Sequence, residues 1–213
     1  MSLDKSHGYV SIVGFNYIQP ICTLLEKLLS LDSKDPNEVQ ASQAENGYSS
    51  AIIMLTMLLV ESAIARVKYD LDKTSSRSPL EFVRTELPSF TSIDKLEELF
   101  VVRDVIAHNH VWEAKFLRDD NAGLRLIAAE LRRGYGDRKF GRVLNQETRK
   151  TRLLGVNLFP TRIWRDDAII VLKAAIDFLL FLQEEVSGFV NISNQYEIFN
   201  GELQSFTDVV AKL

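Results

Sequence analysis

The 213-residue sequence has one cysteine, Cys22, and three histidines. A single cysteine cannot form a disulfide within the chain, and this predicts a cytoplasmic protein in a reducing compartment. A zinc site needs several cysteine or histidine ligands, so we expect no bound metal and no cofactor. The sequence also lacks the phosphate loop that ends in Gly-Lys-Ser/Thr and the Gly-x-Ser-x-Gly turn of serine hydrolases. These absences exclude the enzyme classes that those two motifs define.

Long apolar runs are absent as well. The most apolar stretch, residues 51–60, is too short to span a bilayer and is followed by Glu61. Asp4 and Lys5 precede the first apolar run, so no signal peptide is predicted. With 46% hydrophobic and 25% charged residues, the composition is that of a soluble globular protein. We therefore expect one domain over residues 1–213, with no membrane partner.

The net charge of −4 is unevenly distributed along the chain. Residues 115–165 contain 13 Lys or Arg against five Asp or Glu, a net +8, which leaves −12 for the rest of the chain. A basic surface on an acidic protein attracts polyanions, and nucleic acid is the polyanion that we expect. The alternative is a solvated loop surface with no partner. The candidate nucleic-acid contacts are Arg132, Arg133, Arg138 and Lys139.

Apolar residues recur at steps of three and four over most of the chain, and this pattern predicts a mainly α protein. The predicted helices cover residues 15–31, 46–71, 79–88, 92–110, 165–186 and 201–213. The second of them is apolar nearly all round, so we expect it at the centre of a helical bundle. Helix starts are indicated by Ser78 before Pro79 and by the acids Asp166 and Asp167.

Residues 111–160 differ in pattern, and we predict that they form a basic, partly β insertion in the bundle. Apolar and polar residues alternate on both sides of a turn rich in Asp, Asn and Gly at 119–123, which predicts a β-hairpin. The alternative is a helix over residues 124–131. A glycine-punctuated basic loop follows, and residues 153–159 are predicted to add a short strand.

Arg103 stands among apolar residues of the predicted helix 92–110. Leu96 and Leu99 fall on the same side of the helical wheel. A guanidinium on such a stripe is costly to bury unless an anion pairs with it. One interpretation is an ion pair with Glu61 that holds two helices together. The other is a site for a bound anion such as phosphate.

Asp104 and His108 are four residues apart, so they are neighbours on the helix surface. A carboxylate beside an imidazole favours the imidazolium and fixes its orientation, which suits a general acid or base. The alternative is an ordinary surface histidine. Arg103 and His108 lie about 140° apart around a regular helix and about 7.5 Å apart along it. A site that uses both therefore needs a distorted helix end or a second copy of the helix.

The run from Arg103 through Asp104 to His108 resembles the signature of the HEPN superfamily, the higher eukaryotes and prokaryotes nucleotide-binding domain. That signature is Arg-x4-6-His on a helix of a four- or five-helix bundle. The long helix that carries Glu61 and the ending Ala107-His108-Asn109 are similar to the same family. The resemblance covers about residues 46–186, with the basic insertion as an elaboration.

The resemblance implies an up-and-down helical bundle and a metal-independent endoribonuclease that acts as a homodimer. His108 would assist attack of a ribose 2′-OH on the adjacent phosphate, and Arg103 would stabilise the charge on that phosphate. Asp104 would position either of them, with Glu61 and Asn109 as supporting residues. The implied products are a 2′,3′-cyclic phosphate and a 5′-OH.

Three functions follow from these patterns. The first is an RNA endonuclease of a defence or toxin type, for which an antitoxin or another protein would be a partner. The second is a non-catalytic HEPN module that binds nucleotide, RNA or a protein. The third is a structural helical protein in which Arg103 and Glu61 form a buried pair. Convergence of Arg103 and His108 from two chains across a two-fold axis would favour the first.

Overall fold

The computed structural model describes residues 14–32, 41–71, 78–108, 112–119, 123–131, 138–186 and 190–213. These residues are mostly helical, as predicted. Their α-helices are α1 (Ile18–Leu29), α2 (Gln43–Asp70), α3 (Pro79–Glu86), α4 (Ile93–His108), α5 (Arg138–Val143), α6 (Arg165–Glu185) and α7 (Phe206–Ala211). Short 3-10 turns precede α1 and α6.

The strands form three separate antiparallel pairs within the described part of the chain. They are β1 (Trp112–Asp119) with β2 (Gly123–Leu131), β3 (Leu144–Asn145) with β4 (Lys150–Thr151), and β5 (Tyr196–Phe199) with β6 (Glu202–Ser205). Because the pairs do not join into a larger sheet, the helices provide the core. Most of its fully buried side chains are apolar residues of α1, α2, α4 and α6.

The predicted central helix is confirmed as α2, which contacts α1, α4 and α6. Side chains on several sides of α2 are fully buried, including Ile52, Ile53, Met57 and Val60. Among the described helices, α2 is the one long and apolar enough to cross a membrane, although residues 51–60 alone are too short. A core helix satisfies the same criterion. Contacts with three neighbouring helices account for the apolar composition of α2.

Two predicted helix starts are confirmed by their capping contacts. The backbone N–H of Glu81 donates to the Ser78 hydroxyl at 3.2 Å, with Pro79 at the first helical position. At the start of α6, the Asp167 carboxylate accepts the backbone N–H of Trp164 at 2.8 Å. Acids in the first turn also complement the positive end of the helix dipole.

Asp167 is nearly fully buried and holds the loop before α6 in place. Its two oxygens accept the side-chain amide of Asn157 at 2.9 and 3.1 Å, and Oδ1 also accepts the backbone N–H of Asn157 at 2.8 Å. Burial raises the pKa of the Asp167 carboxyl above its usual value, although the donors on Trp164 and Asn157 oppose that rise. The loop and the helix are therefore joined through one carboxylate.

The β-hairpin predicted after α4 is confirmed, and the alternative helix over residues 124–131 is wrong. β1 pairs with β2 from Trp112 opposite Leu131 to Asp119 opposite Gly123, with an irregularity between Lys115 and Phe116. The indole Nε1–H of Trp112 donates to the carbonyl of Leu158 at 2.6 Å, which ties the base of the hairpin to the domain.

The short strand predicted at residues 153–159 is wrong. The backbone N–H groups of Leu153 and Leu154 donate to the Glu98 carboxylate, both at 2.8 Å, instead of to a neighbouring strand. One isolated bridge, between Lys150 and Asn157, is present there. The loop predicted before it also contains a short helix, α5, whose Phe140 and Val143 are buried. Burial of those two side chains outweighs the effect of Gly141 in the helix.

The last helix begins later than predicted. Residues 202–205 form β6, and α7 starts only at Phe206. Asn200 and Gly201 have φ values of +51° and +79° between the paired strands. Two consecutive positive φ angles are typical of a type I′ turn, which Asn-Gly favours. The Asn-Gly dipeptide was the sequence signal for this turn. The prediction instead extended the helical pattern of the last residues back to Gly201.

Candidate active site

The candidate site lies on the last two turns of α4. This helix buries residues on several sides, among them Leu96, Leu99, Val102 and Val105. Arg103 follows Leu99 by one turn, so its stem leaves the helix at the edge of the core. Its side chain is 27% exposed, which leaves the guanidinium half-buried and still accessible from solvent.

The guanidinium of Arg103 is paired with α2. Its Nη2 lies 2.8 Å from Oε1 of Glu61 in an ion pair, and the Glu61 side chain is also 27% exposed. The guanidinium carbon lies 5.7 Å from the centre of the Phe100 ring, within the range of a cation–π contact. The ion pair expected from the structural interpretation of Arg103 is therefore present. It fixes the guanidinium at the α2–α4 contact.

Asp104 provides a second carboxylate beside the same group. Its Oδ1 lies 3.0 Å from Nε of Arg103, yet that buried Nε has no hydrogen-bond partner among the described atoms. The contact is therefore electrostatic proximity with poor hydrogen-bond geometry. One guanidinium and two carboxylates leave a local charge of −1. An incoming phosphate has to use the guanidinium N–H groups that Glu61 does not occupy.

His108 is the last residue of α4, and its side chain is exposed. The helix stays α-helical from Ile93 through His108, so the distorted helix end considered from the sequence does not occur. Arg103 and His108 therefore keep the angular separation of about 140° of a regular helix. One chain brings Arg103 and Asp104 together and leaves His108 on another side. Asn109, predicted as a supporting residue, lies outside the described residues.

The predicted nucleic-acid contacts are only partly described. Arg138 is exposed and Lys139 is half-buried at the start of α5. Arg132 and Arg133 lie outside the described residues. The exposed cations that surround α5 and the β3–β4 pair are Arg138, Arg142, Lys150 and Arg152. A solvent-facing basic surface is thus available next to α4, with which α5 is in contact.

Several cations of the basic segment also hold the fold together. Nη2 of Arg142 donates to Oε1 of Glu97 on α4, and Nε of Arg152 donates to the carbonyl of Leu144 at 3.1 Å. Arg165 donates from Nη2 to the carbonyl of Leu31 at 2.7 Å. The positive charge of this segment is therefore not all available to a polyanion.

Glu97 and Glu98 are two buried acids of α4 that the sequence interpretation missed. Both lie one turn after the start of α4, and both are nearly fully buried. Glu97 pairs with Arg142 and, at 3.4 Å, with Arg84, while Glu98 binds the backbone of residues 153 and 154. Their position between Leu96 and Leu99 was the available signal, because an acid enclosed by core residues requires partners.

The described residues contain no group of three or more His, Cys, Asp or Glu side chains that could hold a metal ion. A cavity of about 270 Å³ is present between α4 and α6, and none of Arg103, Asp104 and His108 lines it. The candidate catalytic residues thus lie on the surface of the bundle and outside this cavity.

Comparison with protein-family models, curated proteins and solved structures found no match to this chain. The HEPN resemblance therefore stays a prediction from the sequence, carried by the run from Arg103 to Asn109 and by the long helix with Glu61.

Proposed function

We propose that the chain is a metal-independent RNA endonuclease that acts as a homodimer, with Arg103 of one chain and His108 of a second copy at one cleft. The observation that carries the proposal is the regular α4, which holds Arg103 half-buried and His108 exposed about 140° away. A two-fold axis beside α4 would bring the two residue types together from opposite chains.

The chemistry assigns one task to each group. His108 takes the proton of a ribose 2′-OH as the 2′ oxygen attacks the adjacent phosphorus. Arg103 donates to the phosphate oxygens, whose negative charge grows in the transition state. The bond from phosphorus to the 5′ oxygen breaks, and that oxygen takes up a proton from solvent water and leaves as a 5′-OH. Glu61 and Asp104 act on Arg103 as positioning residues.

A second candidate is a non-catalytic module that binds RNA or a protein partner. The Arg103–Glu61 contact favours it, because Glu61 already supplies the anion that a half-buried guanidinium requires. In that function, binding would depend on the basic surface around α5, and neither Arg103 nor His108 would affect a rate.

The nuclease proposal is tested by incubating an RNA oligonucleotide with the protein in EDTA. We expect cleavage that leaves a 2′,3′-cyclic phosphate and a 5′-OH, and survival of the same oligonucleotide with 2′-deoxyribose at the cut position. Cleavage of the 2′-deoxy substrate, or a strict requirement for a divalent metal, would reject the mechanism. No cleavage combined with tight RNA binding would favour the second candidate.

The dimer is tested separately by sedimentation at micromolar concentration. We expect a particle of twice the 24.2 kDa chain mass, with a self-complementary interface that includes α4. A replacement in α4 that faces the second copy, such as Ala107→Glu, should convert it to a monomer, because Ala107 is exposed and lies between Arg103 and His108. A monomeric wild-type protein would contradict the shared cleft.

RNA binding by the basic surface is tested through its salt dependence. Affinity should fall steeply as salt rises, because each neutralised phosphate releases counterions. Glu replacements at Arg132, Arg133, Arg138 and Lys139 should weaken binding and reduce the salt slope. The control is Lys27→Glu, on the exposed side of α1. Equal affinity of the two variants would reject this surface as the RNA contact.

A further inference from the structure

The cavity between α4 and α6 has an apolar wall. Its volume is about 270 Å³, just below the range of about 300–1,000 Å³ that is typical of small-molecule sites. Leu96 and Leu99 line it from α4, and Phe178 lines it from α6, each nearly fully buried. Phe90 meets Phe178 edge to face, with ring centroids 4.9 Å apart. The wall is fixed by core packing and is therefore preformed.

Two lysines from different helices stand at the same cavity. Lys95 comes from α4 and Lys173 from α6, and both are exposed. Neither makes a hydrogen bond or an ion pair within the described part of the chain. Asp177 also lines the cavity, one turn after Lys173, and forms no ion pair with it in the same residues. The mouth thus carries a net charge of +1 over an apolar floor.

We propose that this cavity binds a small monoanion with an apolar body, such as an aryl acid or a short acyl acid. The body would lie against Phe90, Phe178 and the leucines, where transfer from water is favourable. The anionic group would lie between Lys95 and Lys173 at the mouth. The cavity size restricts the body to one or two rings or a short chain.

The charges at the mouth also set a preference among anions. Two lysines attract an anionic head, and Asp177 repels it. The attraction of the mouth rises in proportion to the charge on the ligand, whereas the cost of removing that charge from water rises with its square. At a mouth of net charge +1, a second negative charge therefore costs more than it gains. A monoanion is therefore preferred over a dianion of the same shape, and both over the neutral compound. This site does not contain Arg103 or His108 and goes beyond the proposed nuclease function.

The probe is naphthalene-1-sulfonate, titrated into the full chain by calorimetry. We expect saturable binding with a stoichiometry of one, weaker binding of 1-naphthyl phosphate as the dianion, and still weaker binding of 1-naphthalenemethanol. Lys95→Met and Lys173→Met should each weaken sulfonate binding about fivefold, the effect of one partly screened charge contact. Asp177→Asn should strengthen it by a similar factor, and Lys27→Met is the matched control on α1.

A bulky replacement tests whether the body of the probe enters the cavity. Ala174 is half-buried on the α6 wall, so Ala174→Phe should fill the space and abolish binding while the helical circular dichroism is retained. Absence of saturable binding to the wild-type protein would overturn the proposal. So would equal affinity of the wild-type, Lys95→Met and Lys173→Met proteins. Weaker sulfonate binding to Asp177→Asn would show that Asp177 does not repel the anionic group and would also reject the proposal.

Discussion

Nη2 of Arg103 lies 2.8 Å from Oε1 of Glu61, and this contact joins α4 to α2. Both side chains are 27% exposed, so water screens the pair and limits its contribution to about 1 kcal/mol. A contact of that size positions the guanidinium without making the fold depend on it. In the proposed nuclease, the same arginine would also bind the phosphate, and experiment can separate this role from its role in stability.

The first prediction concerns that separation. A double-mutant cycle over Arg103→Ala and Glu61→Ala should give a coupling energy of about 0.5–1 kcal/mol in the free energy of unfolding, measured in urea. High salt should reduce the coupling, because the pair is partly exposed. A coupling of several kcal/mol would mean a fully buried pair and would favour a purely structural role for Arg103.

The second prediction concerns the rate of RNA cleavage. His108→Ala should lower it by about 10²–10⁴-fold, the range typical of a positioned acid or base. Arg103→Lys should lose a comparable factor, because an ammonium cannot replace the planar donor. The two losses should not add in the double variant. The control is Arg66→Ala, which removes a partly buried arginine on α2 and should leave the rate of RNA cleavage unchanged.

The third prediction concerns the buried acid of α4 that binds a loop. Glu98→Gln replaces one acceptor oxygen with an N–H group that faces the backbone donors of Leu153 and Leu154. We expect a loss of about 1.5–3 kcal/mol in the free energy of unfolding, the size of a hydrogen bond to a charged group. Glu184→Gln, exposed on α6, should change it by less than about 0.5 kcal/mol. Equal stability of the two variants would contradict the assignment.

The fourth prediction is a dependence of stability on pH. Burial raises the pKa of the Asp167 carboxyl in the folded protein above 3.8, its ordinary value in an unfolded chain. Its contribution to stability is then fully present below pH 3.8 and is lost as the pH rises through the folded pKa. The free energy of unfolding of the wild type minus that of Asp167→Asn should therefore fall from acid toward neutral pH. A difference that grows with pH would mean a lowered pKa instead.

The fifth prediction uses the only cysteine. Burial raises the pKa of the Cys22 thiol from 9.0 to about 12, with smaller contributions from Glu197 and Glu26, and the side chain is fully buried. Such a shift lowers the thiolate fraction about 1,000-fold near neutral pH. Maleimide labelling at pH 8 should therefore be slow in the native protein and fast in urea. Rapid native labelling would indicate that α1 detaches easily from the bundle.

The sequence predicted those parts of the fold whose structure is determined by residues close together along the chain. The apolar composition of α2 and the cap at Ser78 could be recognised without information about distant residues. The hairpin of β1 and β2 was also predictable, since alternation and its turn are adjacent in sequence. By contrast, residues 153–159 had the composition of a strand, and Glu98, more than 50 positions earlier, bound their backbone instead.

The candidate site shows the same division. That Arg103 and Glu61 are partners could be expected, because each is a charge within an apolar helix. The contact of Arg142 with Glu97 could not, since nothing near either residue specifies the other. Whether His108 meets Arg103 of a second chain depends on a surface outside any one chain. A site on a single helix can be predicted from the sequence. A site that two chains share can be predicted only from the structure of their complex.

The amide of Gln19 pairs with the backbone of Ile198 through both its oxygen and its nitrogen, at 2.9 and 3.1 Å. This contact docks β5 on α1, and 179 residues separate its two partners. At a synthesis rate of about 5–20 residues per second, α1 is made roughly 10–40 seconds before β5. Until then the side of α1 that later receives β5 stays open to the surroundings. A chaperone that recognises apolar helices would be able to bind α1 during that interval.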